Sequence, residues 1–225
     1  MIDLTQYQLL YLAILITVLY FISRATTNAI FAFLRSIFKR DQMVFAIVSI
    51  FFLPGTVLHE LAHFFMATVL LMKVREIKIL PEWEKNYIKL GRVLYEKRDF
   101  VSGVVVGIAP IGAGLLFFWW LAEFKIFPSS NWWLNLPIGY LVFSVSSTMF
   151  SSKQDLIDLI YIFPVLFIIF GIIYVFNIKL DWVLVNDRWQ AVNQLFSLIN
   201  YYLLLSVVFN AALIIFLKIL KKTKL

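Results

Sequence analysis

Cysteine is absent from this chain and histidine occurs only twice. The first absence excludes a disulfide framework, a thiolate metal site and a cysteine nucleophile, and it leaves the redox compartment unreadable. Charge is scarce too, at 15% of residues against about 25% in an ordinary soluble domain. Disorder needs the opposite balance, low hydrophobicity with high charge, and is excluded. No internal repeat, low-complexity tract or second soluble domain is visible.

What fills the chain is apolar. Hydrophobic residues make up 62% of the 225 and mean hydropathy is +0.89. A soluble core of this size cannot hide so much apolar surface, whereas lipid can. The fold class expected is therefore an all-α polytopic membrane protein. The net charge of +7 suits anionic headgroups and topology signals better than nucleic acid, because the basic residues sit between apolar runs. The first run follows Asp3 rather than a basic segment, with no small-residue cleavage site after it, so it is expected to remain as a first helix.

Six apolar runs cover 7–22, 43–73, 100–123, 132–150, 156–176 and 195–220. Each is near or above the roughly 20 residues that cross a bilayer, which predicts about six transmembrane helices. The second run is long and carries Pro54-Gly55, expected to kink it or split off an interfacial piece. Residues 24–40 have the pattern of an amphipathic helix lying in the interface. With an even number of spans both termini share one face. Twelve Lys and Arg fall on that face, with the 75–99 loop, and seven on the other, so both termini are expected to be cytoplasmic in a multi-pass protein of the cell membrane. Residues 74–80 and 87–96 mix β-branched, aromatic and charged residues around a turn at 81–86, which predicts one small β-hairpin at the membrane surface.

Both histidines belong to one motif, His59-Glu60-Leu61-Ala62-His63, inside a helical run. Spacing i, i+4 puts both imidazoles on one helix face, where they can share a metal. Glu60 stands beside them as a base for a water whose pKa zinc lowers toward about 7. Two histidines four apart with Glu after the first arise by chance about once in four thousand such chains. Two His and a Glu in an apolar span are also costly without a function. Zinc needs a third protein ligand, and with no other histidine it must be a carboxylate. Glu82, Glu123, Asp155 and Asp158 are the candidates, although the two aspartates also fit a helix's first turn.

With Leu71-Met72-Lys73-Val74 leading into a strand and Ile88-Lys89-Leu90-Gly91-Arg92-Val93 as a second strand, this motif resembles the site-2-protease-like intramembrane zinc metalloproteases. Gly107-Ile108-Ala109-Pro110-Ile111-Gly112 takes the place of that family's small-residue motif. The resemblance implies a single integral-membrane domain over 1–225, with a catalytic core at about 43–160 flanked by 1–42 and 161–225. It implies a Zn2+-dependent endopeptidase acting on membrane-protein or peptide segments in the lipid bilayer, with His59, His63 and Asp155 as metal ligands and Glu60 as the catalytic base. Asp155 departs from the family pattern in its surroundings: Ser147 and Phe150 stand where Asn and Pro are usual, and Leu156 where Gly is. The reading from another class is a non-catalytic membrane protein, either an inactive relative or a metal-binding or transport module.

Overall fold

The structure is a computed structural model that describes residues 7–78, 82–84, 87–89, 91–96, 99–150, 168 and 187–223. Asp155, Asp158 and all of the fifth apolar run except residue 168 lie outside these residues. The order is α1 (Gln8–Ile37), α2 (Asp41–Val69), β1 (Val74–Lys78), β2 (Glu82–Glu84), β3 (Tyr87–Lys89), β4 (Arg92–Tyr95), α3 (Phe100–Glu123), α4 (Trp132–Thr148) and α5 (Asp187–Thr223). Four of these helices are long and apolar enough to cross a membrane: α1, α2, α3 and, in α5, Trp189–Lys222. The described residues thus carry four such helices where six spans are expected. The fourth run forms α4, only 17 residues long. Large apolar side chains such as Phe21, Ile50, Phe65 and Leu116 stand exposed on the outer surface, as suits contact with lipid.

The first helix is longer than its apolar run. Its polar stretch stays helical because the hydroxyls bond back to their own helix: Ser23 donates to the Tyr20 carbonyl, Thr26 to Ile22 (2.9 Å) and Thr27 to Ser23 (3.0 Å). Residues 24–37 are therefore no separate interfacial helix, and Arg24 lies within α1 rather than in a loop. At the corner to α2, Arg35 pairs with Asp41 at 3.1 Å, and Asp41 sits in the first turn of α2, where the helix dipole favours a carboxylate.

The second helix runs unbroken across Pro54. Proline cannot donate to the carbonyl of Ile50, so this part of the helix relies on neighbours for its polar groups. They come from α4. Tyr140 donates its hydroxyl to the Phe51 carbonyl at 2.9 Å, and the Gly55 N–H donates to Ser144 Oγ at 3.0 Å. Each such group left unpaired in a core costs about 1–3 kcal/mol. Gly55 also lets the two helices approach closely. A Cβ there would overlap the Ser144 carbonyl oxygen and Thr148 Oγ1. Gly114 of α3 makes a similar approach to Met149, whereas Gly112 faces open space.

The expected hairpin is present, as two ladders rather than one. β1 pairs antiparallel with β4, from Val74 opposite Tyr95 to Lys78 opposite Arg92, and β2 pairs with β3, from Glu82 opposite Lys89 to Glu84 opposite Tyr87. Both ends of this insertion are capped. Leu71, with φ 54°, closes α2 in the left-handed region, and the Met72 N–H reaches the Ala67 carbonyl at 2.9 Å while the Leu71 N–H reaches Thr68 at 3.0 Å. Met72 and Ala67 then pack with Val106 of α3. On the far side Asp99 caps α3, accepting the Ser102 N–H at 2.7 Å in a reciprocal capping box. The insertion is thus fixed to the end of α2, which carries the motif, and to the start of α3. Amides join other helices: Asn200 of α5 donates to Gln8 of α1 at 3.0 Å, and Ser147 of α4 donates to Asn210 Oδ1 at 3.4 Å.

Candidate active site

His59, Glu60 and His63 lie on the face of α2 turned into the protein, at 3%, 8% and 6% exposure. The i, i+4 spacing does what helix periodicity demands. The two Nε2 atoms stand 3.1 Å apart, with the rings at 85° and their centroids 4.7 Å apart. His63 Nδ1 lies 2.9 Å from the backbone carbonyl oxygen of Val106. A carbonyl only accepts, so Nδ1 carries a proton, and in the neutral ring Nε2 then presents its lone pair. Such outer-shell bonds fix the tautomer and aim of metal-ligating histidines.

These residues fit a zinc ion. Two nitrogens at about 2.0–2.1 Å from one tetrahedral zinc are about 3.3 Å from each other, close to the spacing found here. Among the described residues no group of three His, Cys, Asp or Glu side chains is placed to hold a metal, so the pair needs a ligand from elsewhere. Glu123 is not that ligand. It is exposed at the end of α3, 17 residues beyond Val106, which is about 25 Å along the helix. Glu82 is placed only as a β2 residue opposite Lys89, and Asp155 and Asp158 fall outside the described residues.

Glu60 is walled in by the hairpin. A Cβ added to Gly91, just ahead of β4, would come within 2.6 Å of Glu60 Cγ and 2.9 Å of Oε1. Among the described residues no glycine has a positive φ, so Gly91 is required for space and not for backbone conformation. Next to it, the guanidinium of Arg92 engages Glu76 across the ladder at 2.5 Å, and Arg75 holds Glu96 at 2.6 Å. Hydrogen bonds from Arg92, and then from Lys78, keep the Glu76 carboxyl below its usual range, and Arg75 does the same for Glu96.

Two of these contacts lie outside the sequence motif. The Val106 carbonyl is backbone and leaves no residue-type signal. Gly91 left one, a glycine inside a strand pattern, which marks close approach by another group. Gly91→Ala is expected to displace the Glu60 carboxylate, which is flexible and can yield. The thermal midpoint should change little, while any Glu60-dependent turnover falls by about 10²-fold, the scale of a misplacement near 1 Å. Unchanged kcat in the Gly91→Ala protein would show that the contact does not position Glu60.

Compared with known proteins, the chain matches no family model, no curated protein and no solved structure.

Proposed function

We propose that the chain is a zinc-dependent endopeptidase of the site-2-protease-like kind, cutting membrane-embedded or membrane-proximal peptide segments. One observation carries the reading: two buried imidazoles converge Nε2 to Nε2 at 3.1 Å, beside a buried Glu, on a helix apolar enough to cross a membrane. His59, His63 and Asp155 would hold the ion. Zinc bound there supplies a Lewis acid for the peptide carbonyl and acidifies water. Glu60 takes a proton from the attacking water as the new C–O bond forms. It returns that proton to the amide nitrogen as the C–N bond breaks.

Two further features support this reading. Thr148 sits against Gly55, one turn before His59, and the seven residues from there to Asp155 can span at most about 25 Å, which leaves Asp155 within tether of the pair. Among the described residues β4 pairs only with β1, and its first residue follows Gly91 at Glu60. An extended substrate strand can add to such an edge. The test is cleavage of a membrane-embedded reporter by the purified full-length protein, lost with a zinc chelator and restored by zinc. A folded preparation that never binds zinc would instead return a non-catalytic membrane protein.

The charge pattern supports a multi-pass topology with both termini cytoplasmic. Single cysteines placed at each terminus, in a chain without native ones, should label only from that side. Labelling of the two termini from opposite faces overturns it.

A further inference from the structure

Arg24 stands 16 residues after the start of α1, in the polar stretch of an otherwise apolar helix. An ionised side chain so placed is costly unless it meets opposite charge, water or a polar cavity. Among the described residues no carboxylate pairs with it. Its guanidinium lies 4.9 Å from the centroid of the Tyr20 ring, and that ring stands edge-on to Phe150. Beside it is a cavity of about 270 Å³ walled by α1, α2 and α4.

The wall is rich in donors. The hydroxyl protons of Thr27 and Thr148 are spent on carbonyls of their own helices, and Ser147 donates to Asn210. The strong donors left to line the cavity are the Arg24 guanidinium and the Asn28 amide. A guanidinium fork with an amide beside it suits a carboxylate. The volume lies just below the roughly 300–1,000 Å³ of sites for drug-sized ligands, which favours one side chain over a phospholipid headgroup with its glycerol.

Its position ties it to the histidines. Phe52 lines the cavity and precedes His59 by seven residues on the same buried stripe of α2, about 10 Å along the axis. That distance is about three residues of extended peptide. We propose that this cavity is a substrate subsite for an Asp or Glu side chain carried about three residues from the bond that is cut. The inference rests on the peptidase reading and deepens it.

The test uses full-length protein in neutral detergent and reporter peptides with Asp, Asn or Lys at that position. The Asp reporter should be cleaved with kcat/KM at least about tenfold above the Asn one, and Arg24→Glu should shift the preference to Lys. The same order is expected in binding of uncleaved peptides to the Glu60→Gln protein, which needs no hydrolysis. Cleavage without an Asp preference, or a preference that Arg24→Glu leaves alone, overturns the subsite. Binding preference inverted by Arg24→Glu in a protein that cleaves nothing sinks the peptidase and keeps the carboxylate site. If phosphatidylglycerol abolishes the preference by competing at Arg24, the cavity is a lipid site and the proposal fails. Should Arg24→Glu not fold, Arg24→Lys must lower the preference, because it keeps the charge and loses the fork; an unchanged preference overturns the proposal.

Discussion

Glu60→Gln is expected to lower reporter cleavage by about 10²- to 10⁴-fold, the usual contribution of a positioned general acid–base. Gln has nearly the shape of Glu and can keep the contact with Gly91, so the fold and the metal content should survive. What the amide cannot do is take a proton from water at neutral pH. The pairing of lost turnover with retained zinc is the informative result, because it separates chemistry from assembly. Cleavage at the wild-type rate by the Glu60→Gln protein would sink the assigned role of Glu60. Loss of zinc in the same variant would instead mark Glu60 as part of the metal shell.

The second large effect is on metal content. Purified wild-type protein should hold one zinc per chain, and His59→Ala or His63→Ala should reduce it to none after dialysis. The geometry explains why one substitution suffices: only two imidazoles converge, and neither has a third histidine to replace it. Structural and catalytic zinc sites use at least three protein ligands, so one missing nitrogen leaves too few. The third ligand is settled by the same measurement. Asp155→Asn should empty the site, whereas Asp158→Asn and Glu82→Gln should not. If Glu82→Gln empties it and Asp155→Asn does not, the hairpin supplies the ligand, and the hydrolytic reading stands with a different carboxylate.

Parts of this protein are local properties of the chain and parts are not. The imidazole pair is local. Covalent connectivity and 3.6 residues per turn bring positions i and i+4 together on any helix, so His59 and His63 meet whatever surrounds them. The hairpin is nearly as local, since alternation and a turn specify antiparallel pairing between neighbours. Its division into two ladders is not legible in that alternation. Helix α1 extends beyond its apolar run for a local reason that polarity hides. The stretch Ser-Arg-Ala-Thr-Thr-Asn reads as a break by polarity, but its hydroxyls return to the helix's own carbonyls and keep it helical.

By itself, then, the sequence determined that this is an apolar, mostly helical chain with a two-histidine motif and a Glu beside it, because composition and helix period need no partner to act. Only the tertiary structure decided which nitrogen of His63 is held, what presses on Glu60, and how α2 survives Pro54. Those rest on a backbone carbonyl of α3, a missing side chain at Gly91, and two hydroxyls of α4. Each joins positions 31 to 89 residues apart in the chain, and a contact made by backbone or by the absence of a side chain leaves little in the sequence to read.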